Sequence, residues 1–369
     1  MMPEPGTDKT QPRSARRRWW PAPADGQRTS GHDHPPRRPP LPVGWWLGLL
    51  AVTGCASAFQ PMGPARQAPA LIDGFAIAAD GYFLPLRLWR PEGPARAVIV
   101  ALHGFNDYSN AFATAGPAFA ADGIVTYAYD QRGFGATLRR GIWPGSPTMV
   151  ADLVTVAALV QERHPGLPLY LLGESMGGAV VMTALTLPRP PGSPLAAVAG
   201  AVLVAPAVWG RETMALMPRA ALWLTNALVP GIAMTAPREL NIRPSDNVEM
   251  MKALSRDPLV IKATRVDTIN GLVELMGEAL AAAPRFETPA LVLYGAHEQV
   301  LPGAAVRRVL ATLPPGRQRV AIYHDGWHML LRDRQGDRVI SDILSWLRTP
   351  GAALPSGADQ SCRARLFDQ

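Results

Sequence analysis

One serine between two glycines carries the clearest chemical signal in this chain. Residues 173–177 read Gly-Glu-Ser-Met-Gly, after an apolar run at 169–172 and before a small-residue segment at 178–185. A strand, a tight turn and a helix in this order are the setting in which a Gly-x-Ser-x-Gly motif exposes a strained serine hydroxyl. The glycines are needed because the turn leaves no room for other side chains. This context distinguishes the motif from a chance glycine-serine turn and predicts Ser175 as a nucleophile.

A serine hydroxyl is a weak nucleophile at neutral pH, so it needs a histidine base and a carboxylate that orients the histidine. We predict His328 as the base. It follows a strand expected at 319–323 and precedes an amphipathic helix expected at 338–347. His324 and His297 are the competing histidines.

Glu298 is the predicted orienting acid. It follows the apolar run at 290–294, which is typical of a buried parallel strand. A solvated loop carboxylate is the alternative interpretation, since aspartate is the commoner acid in this role. Asp325 is the rival carboxylate, but its closeness in sequence makes it hard for Asp325 to reach His328 from behind.

Two backbone N–H groups must also converge on the oxygen that becomes negative when a serine attacks a carbonyl. Met176, directly after the candidate nucleophile, supplies one of them. A strand expected at 98–102 ends in the sequence His-Gly-Phe-Asn at 103–106, where Gly104 allows a close approach of the backbone. We therefore predict the N–H of Phe105 as the second donor.

These segments together resemble the α/β-hydrolase superfamily, and within it the branch of monoacylglycerol lipases, lysophospholipases and serine aminopeptidase-like enzymes. The resemblance runs from about residue 73 to residue 347. It rests also on Tyr-Asp-Gln-Arg-Gly-Phe-Gly at 129–135 and on Asp-Gly-Trp-His at 325–328. It implies an α/β-hydrolase fold, with a mostly parallel central sheet flanked by helices and a helical cap insertion.

The resemblance also implies the roles of the site residues: nucleophile for Ser175, base for His328, and oxyanion donors for Phe105 and Met176. At Glu298 this chain departs from the aspartate of the family, and a glutamate can orient a histidine with one more methylene. The implied function is a serine hydrolase of carboxylic esters, of monoacylglycerol or lysophospholipid type. The alternatives are a peptidase or general carboxylesterase on the same residues, or a membrane-tethered binding protein that has lost turnover.

We expect the cap at about residues 207–285, inside a hydrolase domain at 70–349. About eighty residues between the strands expected at 201–205 and 290–294 lack a strand signal, which is more than a plain crossover needs. They are apolar and rich in methionine, as suits a lid over an acyl pocket, although single side chains could instead pack the cap on the main domain.

The amino-terminal residues are expected to lie outside the fold. Residues 1–40 are rich in Pro, Arg and Gly, which predicts a disordered leader. Residues 41–55 contain an apolar run of signal-peptide length that ends in Val-Thr-Gly-Cys, which resembles the bacterial lipobox. In that interpretation Cys55 is lipidated and anchors an exported protein to a membrane. An uncleaved anchor helix and an ordinary secretory signal are the alternatives, and both also place the catalytic domain outside the cytoplasm.

Charge and residue pattern exclude several other classes of protein. The net charge is +7, but eight Lys or Arg against four Asp or Glu in residues 1–40 account for more than half of it. The nearly balanced remainder argues against a nucleic-acid-binding face. No metal-ligand spacing, phosphate-binding glycine loop or dinucleotide fingerprint is evident, so we expect neither metal nor cofactor. Residues 350–369 are expected to form a disordered tail. If Cys55 is lipidated, Cys362 in this tail has no disulfide partner in the chain. The sequence makes no prediction of oligomeric state.

Overall fold

The computed structural model describes residues 56–188, 192–235 and 241–360. The leader predicted at 1–40 and the signal segment predicted at 41–55, with Cys55, lie outside these described residues. Among the helices of the described ranges, none has both the length and the apolar character needed to cross a bilayer.

A mostly parallel sheet forms the centre of the described structure. The strands are β1 (Ala70–Ile72), β2 (Phe75–Ile77), β3 (Phe83–Trp89), β4 (Ala97–Leu102), β5 (Ile124–Tyr129), β6 (Leu169–Glu174), β7 (Val198–Val204), β8 (Ala233–Met234), β9 (Thr264–Arg265), β10 (Ala290–Gly295) and β11 (Gln318–Tyr323). Nine of them form one sheet in the spatial order β1-β2-β3-β5-β4-β6-β7-β10-β11, while β8 and β9 pair separately. The six strands from β5 to β11 in that order run parallel, and β1, β2 and β3 are antiparallel.

Helices cover both faces of this sheet, which is why its central strands are apolar along their whole length. The helices are α1 (Ala115–Ala121), α2 (Ser146–Arg163), α3 (Met176–Thr186), α4 (Leu216–Leu228), α5 (Val248–Arg256), α6 (Val266–Ala282), α7 (Gly303–Thr312) and α8 (Gly336–Arg348). Every residue of β4, β5, β6 and β10 is buried. One core lies between the sheet and α2, α3 and α6, and a second lies between the sheet and α1 and α8. The predicted α/β-hydrolase architecture is thereby confirmed.

The cap ends earlier than predicted. Helix α6, inside the range expected for the cap, buries eleven of its seventeen residues and packs against α3. It is therefore a helix of the main domain, and the described cap comprises α4, β8, α5 and β9, ending at Arg265. The sequence did not reveal this boundary because a buried crossover helix and a cap helix have the same apolar periodicity.

The domain is also longer at both ends than the predicted range 70–349. At the start, Gln60 is buried and its N–H donates to the carbonyl of Trp143 at 3.1 Å. At the end, residues 350–360 pack on the domain instead of forming a disordered tail. Leu354 and Ala358 are buried, and the carbonyl of Ala358 accepts from the N–H of Ile322 at 3.1 Å. Two apolar side chains in a polar stretch were too weak a signal to predict this packing.

Candidate active site

Ser175 lies between β6 and α3 in a strained conformation. Its φ is +52° and its ψ is −114°, in the half of the Ramachandran plot that non-glycine residues seldom occupy. Its N–H donates to the carbonyl of Val204 at 2.8 Å, and its own carbonyl accepts from the N–H of Ala207 at 3.0 Å. The end of β7 therefore holds the turn in place from both sides.

The glycines beside Ser175 are required by the packing of this turn. A Cβ at Gly173 would lie 2.5 Å from the carbonyl oxygen of Gly177, and a Cβ at Gly177 would overlap the carbonyl oxygen of Leu102. Both obstacles are backbone atoms, which cannot rotate away. Gly177 thus packs directly on β4, and Gly173 packs on the backbone of Gly177, which explains why the motif needs glycine at both positions.

Ser175, His328 and Glu298 form one hydrogen-bonded chain. Nε2 of His328 lies 2.9 Å from Oγ of Ser175, and Nδ1 lies 2.7 Å from Oε2 of Glu298. An ionised carboxylate only accepts, so its contact assigns the imidazole proton to Nδ1. Nε2 then carries a free lone pair that can accept the serine proton. The structure brings together the three residues that the sequence predicted for this chemistry.

The environment of Glu298 favours its ionised form. Burial by itself raises the pKa of this carboxyl, since its side chain is only 7% exposed. The His328 imidazole and the N–H groups of Val300 and Leu301, at 2.7 and 3.0 Å from Oε1, outweigh burial and hold the pKa of Glu298 below its ordinary value. Glu298 can therefore orient His328 as a carboxylate.

The rival residues have other partners. The side chains of His324 and Asp325 are well exposed and pair with each other, with 3.0 Å between Nδ1 and Oδ1. The ring of His297 stacks on Trp327 at a centroid distance of 5.1 Å. Glu298 is thus the carboxylate that contacts the His328 imidazole in the described residues.

The loop with the predicted oxyanion donor lies against the nucleophile. A Cβ at Gly104 would lie 3.4 Å from Cβ of Ser175. Behind it, Nε2 of buried His103 accepts from the N–H of Gln131 at 3.0 Å, so its proton is on Nδ1, which donates to the carbonyl of Gly104 at 2.8 Å. In a trans peptide the C=O and the next N–H point in opposite directions, so this bond turns the N–H of Phe105 away from His103.

Both predicted oxyanion donors are available for a ligand. The N–H of Phe105 has no hydrogen-bond acceptor among the residues that the structure describes. Met176 is the first residue of α3, where N–H groups lack intrahelical acceptors and the helix dipole is positive. Met176 is fully buried, which fixes the position of its backbone next to Ser175.

A buried cluster of charges behind the nucleophile was not predicted. Arg332 Nη1 lies 2.7 Å from Oδ2 of Asp107, and Arg332 Nη2 lies 3.2 Å from Oε1 of Glu174. Burial raises the pKa of Glu174 despite the opposing effect of Arg332. The cluster ties the residue before Ser175 to the loop after His328. The only local signal was a carboxylate at the end of an otherwise apolar strand.

A segment of the cap, residues 243–247, is fastened to the loop of the base. Oδ2 of Asp333 accepts from the N–H of Trp327 at 2.7 Å, and Oδ1 accepts from the hydroxyl of Ser245 at 2.6 Å. The N–H of Met329, next to His328, donates to the carbonyl of Pro244 at 2.9 Å. The cap therefore takes part in positioning the loop that carries His328.

The two charged residues after β5, Asp130 and Arg132, have structural partners. Arg132 forms buried ion pairs with Asp80 and Asp152 at 2.8 and 2.9 Å, and its guanidinium lies over the ring of Tyr82. Asp130 accepts from backbone N–H groups. Within the described ranges, no group of three or more His, Cys, Asp or Glu side chains is arranged to hold a metal ion.

Known proteins share the sequence and the fold around this site. The family described as serine aminopeptidase, S33, matches residues 93–335, which is more than half of the chain and includes the whole hydrogen-bonded chain of the site. A monoacylglycerol lipase of Mycolicibacterium smegmatis is 26% identical over 275 residues, covering 70% of this chain and 91% of that protein. The monoglyceride lipase of Homo sapiens is 25% identical over 288 residues, covering 76% of this chain and 92% of that protein.

Solved structures show the same fold at lower identity. A soluble variant of monoglyceride lipase from Saccharomyces cerevisiae, in complex with a substrate analog, aligns with a TM-score of 0.62 at 17% identity, over 79% of this chain and 98% of that one. Monoacylglycerol lipase of Paleococcus ferrophilus aligns with a TM-score of 0.58 at 20% identity, over 72% and 98%. The chain thus belongs to the serine aminopeptidase, S33, family of α/β-hydrolases, in its monoglyceride lipase-like branch, and it is a serine ester hydrolase.

Proposed function

We propose that this protein cleaves lipid-like carboxylic esters, of the monoacylglycerol or lysophospholipid type, through an acyl-enzyme on Ser175. The observation that carries this proposal is the chain of hydrogen bonds from Glu298 through His328 to Ser175, at 2.7 and 2.9 Å. The site includes a base at hydrogen-bond distance from a strained hydroxyl and two backbone donors beside it. Such an arrangement activates a serine toward a carbonyl carbon.

In the first half of the reaction, Oγ of Ser175 forms a bond to the ester carbonyl carbon while Nε2 of His328 takes the hydroxyl proton. The N–H groups of Phe105 and Met176 donate to the resulting oxyanion, a contribution of ~3–4 kcal/mol per donor in comparable sites. The carbon–oxygen bond to the alcohol then breaks, and His328 returns the proton to the leaving oxygen.

In the second half, water attacks the acyl-enzyme while His328 again takes the proton. The bond between the acyl carbon and Ser175 then breaks, the serine recovers its proton, and the free acid leaves. Glu298 keeps the proton of His328 on Nδ1 through both halves and stabilises the imidazolium that forms in each. No cofactor enters these steps.

The substrate class is supported by the relatives and by the cap. The relatives from Mycolicibacterium smegmatis and Homo sapiens are a monoacylglycerol lipase and a monoglyceride lipase. The cap is apolar and rich in methionine, a composition that adapts to an acyl chain. A peptidase or general carboxylesterase is the second candidate, because the matched family is described as serine aminopeptidase.

We also propose that the enzyme is exported and held at a membrane through Cys55. The support is the sequence Val-Thr-Gly-Cys at 52–55 after an apolar run, together with the substrate class. Mass spectrometry of the protein from membranes of a bacterial host tests this: a diacylglyceryl group on Cys55 is expected, and an unmodified Cys55 in a mature chain contradicts it.

Labelling with a fluorophosphonate probe tests the activated serine. We expect labelling of the wild-type protein, none of Ser175→Ala, and a loss of several orders of magnitude in rate for His328→Ala. Turnover of monooleoylglycerol, lysophosphatidylcholine, p-nitrophenyl acetate and an aminoacyl anilide then separates the candidates. Preference for the anilide would replace the ester proposal by a peptidase, and a folded protein that neither labels nor turns over would indicate a binding role.

A further inference from the structure

Asn106, directly after the oxyanion donor Phe105, joins its loop to the cap by two hydrogen bonds. Its carbonyl accepts from the N–H of Ile261 at 2.9 Å, and its Nδ2 donates to Oγ1 of buried Thr264 at 2.7 Å. The other amide atom, Oδ1, is buried without a hydrogen-bond partner among the residues that the structure describes. A hydroxyl donates as well as accepts, so Thr264 can pair with either end of the amide. The side chain of Asn106 therefore depends on Thr264 as its polar contact.

The backbone of Asn106 sets the direction of the Phe105 N–H. The N–H of Asp107 donates to the carbonyl of Gly104 at 3.3 Å, so residues 104–107 form a turn in which Asn106 is the third residue. Its φ of +64° is the left-handed conformation that the third position of a type II turn requires and that asparagine tolerates. The carbonyl of Gly104 and the N–H of Phe105 belong to one planar peptide. A contact that holds this turn therefore also holds that N–H.

A further contact fastens the same loop to the cap. The hydroxyl of Tyr108 donates to Oδ2 of Asp257 at 2.7 Å. Burial and this carboxylate raise the pKa of Tyr108 to about 12, so the hydroxyl remains a donor at neutral pH. The cap residues opposite are tied together by Lys262. Its Nζ donates to the carbonyls of Leu254, Asp257 and Val260. These bonds brace the part of the cap that the loop contacts.

We propose that Asn106 is a positioning residue for ester cleavage: held by Thr264 of the cap, it aims the N–H of Phe105 at the oxyanion. The cap then supports the reaction centre as well as covering the acyl chain. The inference rests on the function proposed above, and it concerns only how the oxyanion is stabilised. A wild-type protein without ester turnover would overturn both. Wild-type turnover that is independent of the bond between Asn106 and Thr264 would overturn this inference alone.

A thionoester separates the oxyanion donors from the rest of the site. In p-nitrophenyl thionobutyrate, sulfur replaces the carbonyl oxygen of p-nitrophenyl butyrate, and sulfur accepts hydrogen bonds weakly. A change between variants in the ratio of the two kcat/KM values therefore reports a change in the donors. The ratio is independent of the fraction of folded protein, because unfolding removes both activities equally.

Two substitutions remove the bond from either side. Thr264→Val removes the hydroxyl and keeps the shape of the side chain, and Asn106→Gly removes the amide at a φ that glycine also adopts. We expect each to lower kcat/KM for the oxygen ester by about tenfold, and that for the thionoester by about twofold or less. The double variant should lose no more than either single variant, because both remove one bond. Thr264→Ser keeps the hydroxyl and should keep the wild-type ratio.

Thr225→Val is the matched control, since the hydroxyl of Thr225 donates to the carbonyl of Ala221 within α4. It should leave the ratio unchanged. Equal losses on the two substrates in Thr264→Val would make the bond structural only, and no loss would separate it from the reaction; either result overturns the proposal. Additive losses in the double variant would also overturn it, because the two side chains would then act separately.

An alkyl trifluoromethyl ketone tests the same bond without turnover. Its adduct with Ser175 carries an oxyanion where the ester would, so its binding depends on the same donors. We expect the inhibition constant to rise about tenfold in Thr264→Val and to stay at the wild-type value in Thr264→Ser and Thr225→Val. An inhibition constant that Thr264→Val leaves unchanged would overturn the proposal.

Discussion

At the scale of single residues, the site depends on Glu298, a glutamate where the family resemblance implies an aspartate. The longer side chain reaches Nδ1 of His328 at 2.7 Å and still accepts two backbone N–H groups through its other oxygen. The added methylene is thus accommodated by the loop after β10. Position 298 can therefore be tested without removing the contacts that fold the loop.

Glu298→Gln should lower kcat by roughly 10⁴-fold, because the amide no longer holds the proton on Nδ1 or stabilises the imidazolium. Its carbonyl oxygen can still accept from Val300 and Leu301, so the melting temperature should change little. Ester turnover and thermal unfolding of the two proteins check this. If Asp325→Asn lowers kcat in this way and Glu298→Gln does not, Glu298 is not the orienting acid.

Buried His103 should make stability depend on pH. Burial lowers the pKa of this imidazole from 6.5, because the charged form is poorly solvated. Below pH 6.5 the unfolded chain binds a proton that folded His103 resists, so the free energy of unfolding falls with acidification. We expect the stability difference between wild type and His103→Gln to shrink from pH 7.5 to pH 5.5 in urea titrations. A difference independent of pH would contradict the neutral, bridging role of His103.

At the scale of elements, the turn from β6 to α3 is fixed by contact with its neighbours. Gly177 packs against Leu102 of β4, whereas the backbone of Ser175 is hydrogen-bonded to the end of β7 and to Ala207. The strain at Ser175 is maintained because these strands leave the turn no alternative path. The geometry of the nucleophile is therefore a property of three strands and one helix.

Gly177→Ala should prevent folding or lower the melting temperature by about ten degrees or more, because the added Cβ overlaps the carbonyl of Leu102. Such a shift corresponds to a loss on the order of several kcal/mol in the free energy of unfolding. Gly93→Ala is the control, since a Cβ at Gly93 meets nothing within 4 Å. Circular dichroism melts compare the two. Equal stability of both variants would mean that β4 does not confine the turn.

Ser245→Ala tests the link between the cap and the base loop. The substitution removes one hydrogen-bond donor from buried Asp333 and lowers the free energy of unfolding by ~1–3 kcal/mol. It also loosens the loop that carries His328. We expect a severalfold fall in kcat with a smaller change in KM. Ser255→Ala, at an exposed serine of α5, should have no effect. A lower melting temperature with unchanged kcat would give Ser245 a structural role only.

At the scale of the whole molecule, the first and last described residues pack on the hydrolase domain. Leu354 and Ala358 are buried near the second core, Arg319 forms an ion pair with Asp359, and Ala58 is bonded to Asp267. The hydrolase domain therefore includes segments on either side of the range with family resemblance. These segments hold residues 56–58 against β9 and α6, and residues 358–359 against the edge strand β11.

Removal of residues 353–369 should destabilise the protein by ~2–4 kcal/mol, because it exposes apolar surface now covered by Leu354 and Ala358 and removes the partner of Arg319. Removal of residues 361–369 serves as the control, and the difference in the free energy of unfolding between the two truncated proteins gives the contribution of residues 353–360. Urea unfolding of both truncated proteins checks this. Equal stability of the two truncated proteins would mean that residues 353–360 do not stabilise the domain, as first expected for a tail that begins at residue 350.

The sequence by itself predicted the fold and the three side chains of the hydrogen-bonded chain, Ser175, His328 and Glu298. The glycines around Ser175 and the apolar runs before Glu298 and His328 are local patterns, and parallel strands bring the residues at their carboxyl ends to one edge of a sheet. That rule, together with the chain order serine, acid, histidine expected for the fold, predicted that these side chains meet, and the structure places them within hydrogen-bond distance.

The tertiary structure alone decided the cap boundary, the packing of residues 56–60 and 350–360, the charge cluster at Arg332 and the contact of Arg265 with Ala56. Each depends on partners far apart in the chain: 158 residues separate Glu174 from Arg332, and 209 separate Ala56 from Arg265. A local pattern records the spacing of side chains along one element. It does not record which other element packs against that one in the folded protein. Whether a charged side chain forms an ion pair, or a leucine is buried, depends on that second element.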